Sequence, residues 1–239
     1  MKTFNLHNIR LILILGILFF LVGFANHRQK SKPVKTIEVK FKDASKIFIS
    51  EVKVENLLKE TLGSFGDSLV NEDRLDQFEK TLNANEMVKS SEAFYTLDGV
   101  LSAEIIQRNP IARIRENGFY YLDEDGLRMP LSVNYSPRVP LVSWVSEKDL
   151  EKLYPLLMKI VKDDFLKKHI IAIRKKTDKS YVLSVRDKDY TVNFGQISYL
   201  DKKLNNYKVF YKKAAEYKKL DHYKRIDLQF GNQVVCTLK

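Results

Sequence analysis

From Leu11 to Ala25 the chain carries no charged residue, and the run Leu11-Ile12-Leu13-Ile14-Leu15 through Leu18-Phe19-Phe20-Leu21-Val22 is apolar on every side. A helix that is hydrophobic all round is suited to lipid rather than to the surface of a globule. Counted from Leu6 to Asn26, with Arg10 snorkelling outward, it reaches about 30 Å, the thickness of a bilayer core. The pattern predicts one transmembrane helix over 11–26, with Leu11, Leu15, Phe19 and Val22 facing lipid. A cleaved signal peptide, with Gly23 and Ala25 placed like a cleavage site, is the alternative.

Beyond a basic stretch over 27–35 that contains Pro33, the periodicity changes. Ile37, Val39 and Phe41 alternate with Glu38 and Lys40, the period of a half-buried strand. Ser50 can cap a helix carrying Val54, Leu57 and Leu58 and stopped by Gly63 and Gly66. Asn71 can cap a second helix with Leu75, Phe78 and Leu82 on one face. Two runs, Ser91 to Leu97 and Val100 to Gln107, flank Asp98-Gly99 as a two-residue hairpin turn. The predicted order is strand, helix, helix, strand, strand.

After Arg108, strands are expected at Pro110 to Ile114, Phe119 to Leu122 and Arg128 to Leu131, with a turn at Asp123 to Gly126. Ser146 and Asp149 form a capping-box start for a helix to Asp163, striped by Leu150, Leu153, Leu156, Leu157 and Ile160. Strands follow at Ile170 to Arg174, Tyr181 to Arg186 and Tyr190 to Phe194. A second helix runs from Asp201 to Tyr217, and the strands Tyr223 to Phe230 and Gln233 to Leu238 surround Gly231-Asn232. The expected fold is α+β, with a β-α-α-β-β module before a mixed β-sheet domain that has two helices.

Charge separates the same regions. Lys and Arg exceed Asp and Glu by +11 overall, and the partial sums are +6 over 1–35, −6 over 36–107 and +11 over 108–239. The change of sign puts a domain boundary near Gln107. One cysteine, Cys236, excludes an internal disulfide and a multi-cysteine metal site. Basic residues Arg28, Lys30, Lys32 and Lys35 follow the apolar run while Lys2 and Arg10 precede it, which opposes the positive-inside count. Long C-terminal domains translocate largely regardless of that count, so the folded part is expected to be exported.

Chemistry-bearing motifs are few. Gly66-Asp67-Ser68-Leu69 spells the signature of GDSL esterases, but neither His169 nor His222 has the Asp three residues before it that would place a base for Ser68. A polar helix stop is the simpler reading. His7, His27, His169 and His222 are scattered, mostly as expected surface residues, and Asp123-Glu124-Asp125 lacks the later ligands of a calcium loop and reads as a solvated turn. The basic, aromatic stretch Tyr207 to Lys219 could suggest nucleic acid, but Leu204, Tyr207, Tyr211 and Ala214 recur at helical spacing and point to a core helix with lysines outside. No catalytic, cofactor or metal site, no nucleic-acid partner and no small-molecule substrate is expected.

The strand-helix-helix-strand-strand order resembles a POTRA domain, in which two helices cover a three-stranded sheet. More of the chain resembles the bacterial cell-division FtsQ (DivIB) family. The resemblance is carried by Gln107-Arg108-Asn109-Pro110-Ile111-Ala112-Arg113, by Tyr121-Leu122-Asp123 with Gly126, Met129 and Pro130, and by Tyr223 with Ile226-Asp227-Leu228-Gln229-Phe230. Lys42-Asp43 departs from it, where the family often has Gly. The resemblance implies a cytoplasmic tail over 1–10, the span, the linker over 27–35, a POTRA domain over 36–107 and a β domain over 108–239. It implies a non-enzymatic inner-membrane scaffold at the division septum that binds FtsB and FtsL and, through them, the septal wall synthase machinery. In the family the last strand pairs with FtsB, which places the partner site on Phe230, Gly231, Asn232, Gln233, Val234 and Val235. Another POTRA-bearing interaction protein and an esterase using Ser68 are the rival functions.

Overall fold

A computed structural model describes residues 6–29, 34–43, 47–63, 72–96, 98–230 and 233–239. The chain divides into two units, Met1–Gln107 and Arg108–Lys239. The first opens with helix α1, Leu6–Gln29. Its described side chains, those of residues 10–24, are all exposed, Leu11, Leu15, Phe19 and Val22 among them. They span about 22 Å at 1.5 Å per residue, and among the described residues no helix is long and apolar enough to cross a membrane.

Strand β1 (Thr36–Phe41), helices α2 (Glu51–Gly63) and α3 (Glu72–Asn83), and strands β2 (Val88–Tyr95) and β3 (Val100–Gln107) follow in the expected order. They form a three-stranded sheet ordered β1-β3-β2, with β1 parallel and β2 antiparallel to β3. Leu101, Ala103 and Ile105 alternate along β3 and meet Val54 and Leu58 from α2 and Phe78 and Leu82 from α3 in one core. The side chain of Gln107 accepts hydrogen bonds from the backbone N–H groups of Phe48 and Ile49 (2.7 and 3.2 Å), fastening the approach to α2. Between β2 and β3 the connection spans four positions, not two, because the Val100 N–H is drawn onto Thr96 Oγ1 and the Gly99 N–H onto Thr96 O. Gly99, at φ +92°, supplies the left-handed residue this turn needs. Gly66-Asp67-Ser68-Leu69, Asn71, Pro33 and Gly231-Asn232 lie outside the described residues.

The second unit is a mixed α+β fold around one nine-stranded sheet, ordered β12-β11-β10-β9-β8-β7-β4-β5-β6. In chain order its strands are β4 (Pro110–Arg115), β5 (Phe119–Asp123), β6 (Arg128–Met129), β7 (Leu141–Ser143), β8 (Ile170–Lys175), β9 (Tyr181–Val185), β10 (Thr191–Gly195), β11 (Tyr223–Asp227) and β12 (Val235–Leu238). One row crosses eight of them in register: Tyr120, Ile114, Val142, Ile173, Leu183, Val192, Ile226 and Cys236. Cys236 is partly buried and the other seven are buried, in a core shared with helix α4 (Glu147–Lys162) and helix α6 (Leu200–Glu216). Residues one position to either side point to the opposite face, among them Arg115, Arg174 and Arg225. An antiparallel-rich sheet tolerates such a half-wet face.

Two elements correct the expected pattern. A third helix, α5 (Asp164–His169), follows α4 directly because the Asp163 carboxylate accepts the Phe165 and Leu166 N–H groups and restarts the helix. Strand β7 was unforeseen: three residues carry no measurable period, and only pairing with β4 and β8 defines it. Strand β12 also starts at Val235 instead of Gln233, and β6 stops at Met129.

Candidate partner-docking edge

Strand β11 runs parallel to β10, with α6 as the crossover, and β12 then folds back antiparallel on β11. That topology leaves β12 at one end of the nine-stranded sheet. Which backbone groups remain free follows from one bond: the Lys239 N–H donates to His222 O at 2.9 Å. In an antiparallel pair the direction alternates along the strand, so Val235 and Thr237 also face β11, while the N–H and C=O of Cys236 and Leu238 face outward. These outward groups are the template onto which another chain can add a strand.

The side chains around this edge divide into two sets. Val234 and Cys236 pack against the core. Phe230, Val235 and Leu238 are exposed by 52%, 41% and 64%, with Val235 and Leu238 on opposite faces of β12 beside its free edge. Phe230 precedes β12, and its carbonyl accepts the Gln233 N–H at 2.9 Å. Of the six residues expected at the partner site, Val235 is in β12. Phe230, Gln233 and Val234 lead into the strand, and Gly231 and Asn232 lie outside the described residues. Cys236 and Leu238, whose backbone groups face outward, were not among the six, because nothing local marks which way a strand's alternate amides point. Burial pushes the Cys236 thiol above its ordinary pKa.

Two side chains brace the neighbouring strands from inside. Lys203 on α6 is buried, and its ammonium donates to Phe194 O (3.1 Å) and Gln196 O (2.8 Å) at the end of β10. Desolvation lowers its pKa. Gly195 between them sits at φ +76°, and a Cβ there would lie 2.6 Å from the Gln229 side chain, so the approach of β11's end to β10 needs glycine. Asn193 donates to Asp227 at 2.8 Å across β10 and β11.

The other chemistry-bearing groups serve the fold. Asp123 is fully buried, not a solvated turn residue: it pairs with Arg108 at 2.7 Å and accepts the Asp125 and Leu127 N–H groups. His169 is buried rather than on the surface, with Nε2 2.6 Å from the Tyr207 hydroxyl, which is 3.0 Å from that of Tyr190. His222 is exposed, and the side chains of His7 and His27 are outside those described. Tyr207 turns inward and Tyr211 packs against the same core, as the helical spacing predicts. Lys208 meets Asp163 at 2.7 Å. Among the described residues no group of three or more His, Cys, Asp and Glu side chains is placed to hold a metal ion.

No curated protein sequence matches the chain. A protein-family model does: FtsQ/DivIB, C-terminal related, over residues 109–237. The match takes in the ladder from β4 as far as Thr237 in β12, more than half of the chain, and the chain therefore belongs to the FtsQ/DivIB C-terminal-related family of cell-division proteins.

Proposed function

We propose that this protein is a single-pass, membrane-anchored scaffold of the divisome. Residues 11–26 act as the transmembrane anchor, 1–10 as a cytoplasmic tail, 27–35 as a linker, 36–107 as a POTRA domain and 108–239 as an exported β domain. It works without catalysis. The β domain recruits an FtsB-like chain, and with it an FtsL-like chain, by strand addition, and these link it to the septal wall synthase machinery. The observation that carries this reading is the end position of β12, with outward backbone groups at Cys236 and Leu238 next to exposed Phe230 and Val235. Generic backbone bonds give affinity and the exposed aromatic ring gives selectivity.

The anchor rests on the apolar sequence of α1 and the exposure of its described side chains, which bury nothing in protein. Export follows from the length of chain after it.

Phe230→Asp tests the reading without touching the core, since the ring is already half in solvent. Co-purification of the FtsB-like partner is expected to fall at least tenfold, about the worth of one interface aromatic, while the melting temperature stays at the wild-type value. Wild-type recovery of the partner would refute a site at this edge.

A further inference from the structure

At the carboxyl ends of the parallel strands β4, β7 and β8 lies a second surface, far along the sheet from β12. Arg115, Ser143 and Arg174 stand side by side in register there. Immediately after β7, Trp144 takes the left-handed conformation, φ +63°, and leaves 77% of its surface exposed. A bulky residue is strained in that conformation, and the ring it holds in water gains nothing from the core. The turn between β8 and β9 closes through the Lys179 N–H on Lys176 O, again with a left-handed residue, Lys179 at φ +63°. Together Trp144, Arg174, Lys175, Lys176, Thr177 and Lys179 line an open groove of about 710 Å³.

The carboxylates near this groove are engaged. Asp149 pairs with Lys175 at 2.6 Å and Asp178 accepts from the Ser180 N–H and hydroxyl. Lys176 also helps to lower the pKa of Asp178, while Arg174 and Lys179 form no salt bridge among the described residues. Phe119, half exposed, adds a second ring at the same end of the sheet, with the Arg113 guanidinium 4.5 Å from its centroid. Outward aromatic rings beside unpaired cations are the composition found where protein meets lipid headgroups: the rings settle at the interface and the cations meet the anionic phosphates.

We propose that this groove docks the second unit onto a bilayer surface rich in anionic lipid. The charge complementarity is local, and the occupant is favoured over a soluble polyanion because the groove's lining includes an indole left 77% exposed and α1 holds the same chain at a membrane. This last point rests on the anchor proposed above. Tethering makes the docking intramolecular, so that a weak surface contact is populated.

Trp144 is the chain's single tryptophan, so its emission reports on this groove alone. The full chain is reconstituted in vesicles of phosphatidylcholine, or of phosphatidylcholine with about a third phosphatidylglycerol. A blue shift and reduced acrylamide quenching are expected with phosphatidylglycerol only, reversing at high salt. In Lys176→Gln/Lys179→Gln the docking equilibrium is expected to weaken about fivefold per cation removed, at unchanged melting temperature. Identical emission in both vesicles, or an equal response to soluble polyphosphate, overturns the proposal. Flotation with phosphatidylcholine vesicles reads the anchor separately: a chain that fails to float there but still shows the phosphatidylglycerol-dependent shift refutes the span and supports the groove.

Discussion

Asp123→Ala is expected to destabilise the second unit by about 3–5 kcal/mol, the usual cost of removing one partner of a buried ion pair. Asp123 has no solvent exposure, and its two oxygens are committed to different tasks. Oδ2 meets the Arg108 guanidinium at 2.7 Å, and Oδ1 accepts the N–H groups of Asp125 and Leu127, shaping the turn into β6. Truncation leaves a largely buried guanidinium without its counter-charge and two N–H groups without their acceptor. For a unit of this size that is a fall of roughly 10–20 °C in melting temperature. Asp123→Asn, which keeps an acceptor for the turn, is expected to lose about half as much. A loss below about 1 kcal/mol in the alanine variant would mean that the pair behaves as an exposed one.

The second large effect is a loss of stability in mild acid. His169 is 7% exposed, packed against Phe165, Tyr207 and Tyr211, and its pKa is lowered from 6.5 to about 4, chiefly by burial, with Asp187 opposing. Burial also raises the pKa of Tyr190 to about 12 and that of Tyr207 further, so this chain of hydroxyls and imidazole is neutral at pH 7. Above pH 6.5 the imidazole is neutral folded and unfolded, and the folded state keeps its full stability. Between 6.5 and about 4 the unfolded chain binds the proton and the folded one does not, so stability falls with pH. Below about 4 both are protonated and the loss stops growing. The total is about 3 kcal/mol, from 1.36 kcal/mol per pH unit of displacement. Denaturant melts of wild type and His169→Phe across this interval check it. The variant's stability is expected to fall much less over this interval, because Asp149, Asp163, Asp178 and Asp221, whose pKa values hydrogen bonds lower from 3.8, give up their contributions mainly below its acid end. Parallel curves for the two proteins would show that the imidazole is not the group responsible.

Most of the framework was legible because it is written in local periods. The stripe Leu150, Leu153, Leu156, Leu157 and Ile160 and the Ser146–Asp149 cap located α4, and alternation located most strands. The features that escaped depend on contacts distant in sequence. Lys203 reads as a solvated lysine on an amphipathic helix, and only the carbonyls of Phe194 and Gln196 make it an interior one. Asp123 reads as one of three acids in a turn until Arg108, fifteen positions earlier, reaches it. The residues of the proposed docking edge were visible in the sequence, but its geometry was not. Exposed Phe230 and Val235 look like core β residues in sequence, and their exposure follows from β11 pairing parallel with β10 and leaving β12 outermost.

If recruitment occurs through the outward backbone groups of β12, Leu238 is the residue at which it is most cleanly probed. Its side chain is mostly in solvent and its N–H points away from β11, so Leu238→Pro removes an outward donor and blocks an added strand while sparing the internal ladder. Leu238→Ala keeps the donor and controls for the side chain. The measurement is the affinity of the FtsB-like partner for wild type and both variants, with melting temperatures alongside. Strand addition predicts affinity close to wild type for alanine and a loss of about tenfold or more for proline with the fold intact, whereas a proline variant that binds as tightly as the wild type would contradict it.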